Sequence, residues 1–245
     1  LLEANSFSLD LDAVDRASSP RTRMIVLNSP GNPTGGVMPM ADLEHIAAAA
    51  LKHNLWVLAD EIYSRIVFDG LQVPSIMTID GMQERTILLD GFSKTYAMTG
   101  WRLGYGIMPE PLADKVSLLL NHSVGCTAMF TQVAGIEAIT GPQEPAEAMV
   151  AEFARRRSVI VDGLNRLPGF RCRMPKGTFY AFPNIEGTGI PCEALANRFL
   201  EGGVALLPGT AFGRHGAGYL RLSFANSTEN ILEALRRMER VLRAG

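Results

Sequence analysis

The amino-acid sequence predicts an α/β protein: a mainly parallel sheet flanked by helices over residues 1–150, then a smaller α+β unit over residues 151–245. Three observations lead there. Short apolar runs rich in β-branched residues, each closed by a turn residue or a single acid, read as buried strands. A helical stripe stands between the first two runs, and strand–helix–strand in that order implies a parallel crossover with both sheet faces covered. After Pro168-Gly169 the texture shifts to shorter strands separated by helices.

The expected strands of the first unit are Met24–Leu27, Leu55–Leu58, Thr86–Leu89 and Leu103–Ile107. Leu43, Ile46, Ala47, Ala50 and Leu51 are spaced to line one face of the intervening helix. From Pro109 the pattern turns helical; Pro111 suits a first helical turn ahead of Leu112–Leu120. A longer helix is expected from about Pro145 to Leu167, with Arg155-Arg156-Arg157 as a solvated face. Strands at 170–173, 178–182, 204–207 and 219–224 follow, and a last helix capped by Ser227 sets Ile231, Leu235, Met238 and Leu242 on one stripe.

Composition excludes several classes. With 245 residues, 47% hydrophobic and 20% charged, the chain can bury a sizeable core. A net charge of -2 argues against a nucleic-acid partner, and no apolar run is long enough to cross a bilayer. Cys126, Cys172 and Cys192 are odd in number and far apart, which argues against a disulfide scaffold or a zinc site and fits a cytoplasmic protein. The four histidines have no metal-ligand spacing, so no metal is expected, and the glycines at 209, 213, 216 and 218 read as a flexible loop. No phosphate-loop, nucleophile-elbow or zinc-protease signature is present.

Ligands of such sheets sit where the carboxyl ends of the strands open into loops. Asn28-Ser29-Pro30-Gly31-Asn32-Pro33-Thr34-Gly35 follows the first strand, and its two prolines make a stiff loop that presents Asn32. Asp60-Glu61-Ile62-Tyr63 follows the second; an acid at a buried strand end needs a cationic or hydrogen-bonding partner. Ser93-Lys94 follows the third, with Arg102 eight residues on; a partly desolvated lysine favours the neutral amine of Schiff-base chemistry. Arg221 sits inside an apolar strand, where it calls either for an internal salt bridge or for a carboxylate ligand held in two-pronged fashion.

Asn-Pro-Thr-Gly, Asp-x-x-Tyr, Ser-Lys-x7-Arg and the late arginine, in this order, resemble the class I/II aminotransferases of fold type I, which depend on pyridoxal 5′-phosphate. The stretch from Asp90 to Tyr105, Asp-Gly-Phe-Ser-Lys-Thr-Tyr-Ala-Met-Thr-Gly-Trp-Arg-Leu-Gly-Tyr, is the closest match. The resemblance implies that residues 1–150 are the C-terminal part of a large cofactor-binding domain and that an upstream third is missing. It implies a Schiff base of Lys94 with the cofactor, Lys94 then acting as the base. Asp60 would pair with the pyridine nitrogen, and Tyr63 and Asn32 with the ring's phenolic oxygen. Ser93 and Arg102 would bind the phosphate, and Arg221, with Asn32, the substrate α-carboxylate. Some members carry a hydroxyl where this chain has Gly91, which leaves Ser93 as the nearby donor. Amino acid and 2-oxo acid substrates and a homodimer are implied in the same way. A carbon–sulfur lyase on the same fold shares Lys94, Asp60, Tyr63, Arg102 and Arg221, so the sequence barely separates it from an aminotransferase; against the aminotransferase-like sensing domain of a transcription regulator, the near-neutral charge and intact Arg221 favour an enzyme.

Overall fold

A computed structural model describes Glu3 and residues 7–244. Four strands form the first sheet: β1 (Met24–Asn28), β2 (Trp56–Asp60), β3 (Thr86–Gly91) and β4 (Gly104–Ile107), in that spatial order. The β1–β2 and β2–β3 pairs are parallel. The sheet is mainly parallel, as expected, with one antiparallel member: β4 returns antiparallel to β3, with Gly91 opposite Gly104. The cause is local. Only the Phe92–Leu103 loop joins the two strands, and it carries a 3₁₀ turn at Thr99–Trp101 and not the α-helix on which a parallel crossover usually returns.

Helix α1 (Leu11–Ala17) precedes this sheet, α2 (Met40–His53) packs on it, and α3 (Glu110–Ser123) follows it in the chain. In α2 the expected stripe is buried at Leu43, Ile46, Ala47 and Ala50, whereas Leu51 stays 44% exposed. The helix stops at Asn54, whose φ of 52° is the left-handed conformation that asparagine tolerates. The buried face packs against Leu27, Val57, Ala59, Ile76 and Met82 as one apolar core.

Helices α4 (Met129–Thr140) and α5 (Glu144–Leu164) lead to a second, three-stranded antiparallel sheet. Its strands are β5 (Tyr180–Ala181), β6 (Leu207–Pro208) and β7 (Leu220–Ser223), in the order β5-β7-β6, with α6 (Cys192–Glu201) and α7 (Thr228–Ala244) packed on it. These strands are shorter than the apolar runs suggest, and the run at 170–173 reduces to a single bridge between Arg171 and Asn184. Ser227 Oγ accepts the Asn230 N–H at 3.2 Å, and Ile231, Leu235 and Met238 are buried below it. A second core joins α5, α6 and α7 to Tyr63, Ile66 and Phe68 of the segment after β2.

Two further expectations are corrected. Arg157 is not part of a solvated face: it is 6% exposed, holds Asp69 through two bonds of 2.7 and 2.9 Å, and lies over the Phe68 ring. The glycines near 209–218 are not a loose loop. Gly209 and Gly216 pack backbone against backbone with no room for a Cβ on either. Among the described residues no helix is long and apolar enough to cross a membrane.

Candidate active site

Register brings the first two motifs together. Asn28 and Asp60 are paired residues at the ends of β1 and β2, so both loops leave the same carboxyl edge. The Asn28 amide links them: its nitrogen donates to the Asp60 carbonyl at 3.3 Å and its oxygen accepts the Asn32 N–H at 2.9 Å. The loop is pinned again at Gly35, whose carbonyl accepts from the N–H groups of Lys176 and Gly177 at 2.9 and 3.0 Å. Gly35 has a φ of 66°, and a Cβ there would run into Pro175. Asn32 is thereby held against the second unit, where its side-chain oxygen accepts from Arg221 Nη1 at 3.0 Å.

Arg221 lies in the middle of β7. Its guanidinium carbon is 4.4 Å from the Tyr180 ring centroid and 4.9 Å from that of Phe212. Among the described residues no carboxylate pairs with it. Of the two readings open from sequence, the internal salt bridge is therefore absent. The bonding edge of a fixed guanidinium remains available for an anion.

The Asp60 carboxylate accepts the Ile62 N–H at 3.2 Å, which turns the chain so that Tyr63 packs inward. Tyr63 is buried against Phe179, with ring centroids 5.5 Å apart, and its hydroxyl donates to that of Tyr180 at 3.3 Å. Burial, aided by the Tyr180 hydroxyl, pushes the Tyr63 phenol far above its ordinary range; Arg221 pulls the other way. The hydroxyl is thus a proton-bearing donor at neutral pH.

Lys94 emerges from the loop after β3, where the Ala97 N–H donates to its carbonyl at 3.3 Å. The side chain is half-buried, its Nζ 6.0 Å from the Tyr63 ring centroid and 5.9 Å from that of Phe179. Among the described residues it makes no ion pair. The two ring faces fix the direction in which the amine points.

The structure therefore groups Asn32, Asp60, Tyr63, Lys94 and Arg221 around one aromatic wall. Ser93 neighbours Lys94 and is half-buried. Arg102 sits apart: it adopts a φ of 55°, donates to the Thr99 carbonyl at 2.7 Å and opens on a cavity of about 580 Å³. Trp101, Cys126 and Phe130 also line that cavity.

The sequence pattern of the family described as "Aminotransferase class I and II" matches residues 1–238. The chain belongs to this family. It is 41% identical over 244 residues to the aromatic-amino-acid aminotransferase 2 of Thermococcus litoralis and, at the same identity and length, to the aspartate aminotransferase of Pyrococcus abyssi. Either match covers 98% of this chain and 62% of the relative. The aromatic aminotransferase structure from Pyrococcus horikoshii superposes with a TM-score of 0.95 at 39% identity, over 99% of this chain and 65% of that one. The aspartate aminotransferase of Thermus thermophilus, solved with maleate, gives 0.90 at 36%, over 98% and 62%. The chain thus spans about 62% of the length of the curated relatives it matches.

Within this aminotransferase framework, three structurally important residues escaped the sequence reading. Asn28 looks like the polar end of a strand, and Tyr180 and Phe212 look like ordinary core aromatics. The only available signal was the placing of Tyr180 next to Phe179 in a run shared with the late arginine strand's sheet. Two acids at the same edge are also held: Glu61 accepts the Ser75 hydroxyl at 2.7 Å, and Asp90 accepts from Tyr105 at 3.1 Å. Burial raises the pKa of both.

Proposed function

We propose that this chain carries the reaction centre for moving an amino group between an α-amino acid and a 2-oxo acid with pyridoxal 5′-phosphate. The observation that carries the reading is Arg221: fixed by Asn32 and two rings, without a carboxylate partner among the described residues, on the aromatic wall that Lys94 faces. The donor set fits the cofactor. Asp60 offers a carboxylate to a protonated pyridine nitrogen, and Tyr63 and Asn32 offer hydrogen bonds to a phenolic oxygen. Lys94 supplies the amine for an aldehyde, and Ser93 and Arg102 a hydroxyl and a cation for a phosphate. Once bound, this group supplies an electron sink for the bonds at the substrate's α-carbon.

The chain's own residues do the rest. Arg221 binds the α-carboxylate and orients Cα–H, converting a collision into a fixed approach. Lys94 Nζ would take the proton from the substrate Cα and deliver it to the other side of the reacting system, the work of a general base. Tyr63 keeps its proton because of its burial, so it donates rather than accepts. In this reading residues 1–150 hold the cofactor and residues 151–245 bring the carboxylate arginine. The protein works as a cytoplasmic homodimer, supported by three free cysteines, one of them exposed, and by the apolar faces of α3 and α4.

The test is an absorbance titration of the chain with pyridoxal 5′-phosphate, then borohydride reduction and peptide mapping. The expected result is one reduced adduct on Lys94, whose spectrum before reduction responds to added amino acids and 2-oxo acids. Labelling scattered over Lys52, Lys115 and Lys176, or an unaltered adduct in Lys94→Ala, would refute the assignment.

A further inference from the structure

Tyr180 touches both halves of the centre. Its hydroxyl lies 3.3 Å from that of Tyr63, 117 residues earlier in the chain, and its ring face lies 4.4 Å from the Arg221 guanidinium carbon. It is 9% exposed, so neither contact competes freely with water. Its own position is heavily determined. Two residues before it, Thr178 holds a φ of 66°, donates its N–H to the Ile66 carbonyl at 2.8 Å, and accepts the Tyr180 N–H on its hydroxyl at 3.2 Å. Gly177 fits so closely under Pro30 that a Cβ there would come within 2.9 Å of the proline. The strand β5 then pairs Tyr180 with Ser223 of β7, two residues from Arg221.

We propose that Tyr180 is a positioning residue that makes one rigid unit of the Tyr63 hydroxyl and the Arg221 guanidinium. This deepens the functional reading above and rests on it. The ring face restricts Arg221 from above its plane while Asn32 Oδ1 fixes one nitrogen, which leaves the remaining N–H groups aimed at a carboxylate. The hydroxyl contact restrains Tyr63: its O–H donates to the Tyr180 oxygen at 3.3 Å, which fixes the phenol and holds its one proton on Tyr180 until another acceptor competes for it. The two contacts use different parts of one side chain, so two substitutions separate them. Tyr180→Phe removes the hydroxyl and keeps the ring. Tyr180→Leu removes both.

The first arm needs no cofactor: phenylglyoxal modification of Arg221, followed by peptide mapping, in chains of matched thermal midpoint. Tyr180→Phe should react at the parent's rate and Tyr180→Leu at least about fivefold faster, because the stacked face no longer shields the guanidinium. Equal rates in all three would overturn the ring's part. The second arm follows the pH midpoint of the visible absorption of the chain loaded with pyridoxal 5′-phosphate. Tyr180→Phe frees the Tyr63 proton and should shift the midpoint in the direction opposite to Tyr63→Phe, and should add nothing in the Tyr63→Phe background. An unshifted midpoint, or additive shifts, would overturn the hydroxyl's part. Lys94→Ala separates the two levels. If it leaves the spectrum unchanged, the cofactor reading fails, while the first arm still decides whether Tyr180 restrains Arg221.

Discussion

Asp90 closes β3 with one carboxylate oxygen accepting the Gly91 N–H at 2.6 Å and the other accepting the Tyr105 hydroxyl at 3.1 Å. Burial outweighs these bonds and raises its pKa. A raised carboxylate pKa means that the protonated form is favoured by folding: the stabilisation is complete below the unfolded pKa and is lost as pH rises through the folded one. Asp90→Asn keeps an acceptor for Gly91 and carries no charge. It should therefore melt higher than the parent at pH 7, with the gap closing toward pH 4. Calorimetry over that range decides it, and a gap independent of pH would sink the account. Glu152 and Glu233, whose pKa values are lowered by arginine neighbours, act oppositely in both chains and cancel from the difference. At Arg221 the expected cost is in binding. Arg221→Lys keeps the charge and loses the planar fork and the stacked face, so a carboxylate substrate should bind about tenfold or more weakly, read as KM rising more than kcat falls. Arg221, Lys94, Asp60 and Tyr63 were legible as a set, standing near strand ends in motifs that resemble the aminotransferases; singly each reads as readily as a cap, a solvated charge or a salt-bridge partner. Tyr180 and Asn28 were not, since their importance comes from long-range pairing and their residue types fit a core or a strand end equally well.

Between elements, the same division holds. The β1–α2–β2 crossover could be read because its periods are strict, while the reversal at β4 could not, because an apolar run carries no sign of its direction. Arg157 was misread for a related reason: a triplet of arginines on a helix gives no clue that one of them faces inward. In the structure it ties α5 to the segment after β2, through Asp69 and the Phe68 ring at 4.5 Å, and to the segment before β5, through the Pro175 carbonyl at 3.1 Å. Arg157→Ala removes three hydrogen bonds of a charged donor and a buried aliphatic stem, and should cost about 2–3 kcal/mol in denaturant unfolding. A loss below about 0.5 kcal/mol would place the residue among ordinary surface cations. Gly35→Ala tests the other junction. It puts a Cβ on a left-handed backbone against Pro175, for about 2 kcal/mol or more, and should also weaken carboxylate binding by shifting Asn32 from Arg221.

At the scale of the whole molecule, the apolar surface is distributed unevenly. The residues of α7 and α2 that face the cores are buried, but α3 has no buried residue, and α4 buries only Thr131 and Gly135. Leu119, Val124, Met129, Phe130 and Ile136 are each more than 60% exposed on or between these two consecutive helices. The sheet adds two open edges, β1 and β4, with Val26 68% and Ile107 49% exposed. Exposed apolar side chains on two consecutive helices and, among the described residues, unpaired strand edges favour association over a free monomer. The Arg102 cavity borders α4, with Trp101 edge-on to Phe130 at 6.4 Å, so covering that helix also shields the predicted phosphate end of the site. The 245-residue chain should therefore show a mass that rises with concentration in light scattering. Val133→Glu combined with Ile136→Lys places charges one turn apart on exposed positions of α4. This pair should reduce the association while leaving the thermal midpoint near the parent value, because neither side chain packs in a core. Association undiminished in the double variant would move the contact to the sheet edges, where Val26→Lys would then be the effective substitution.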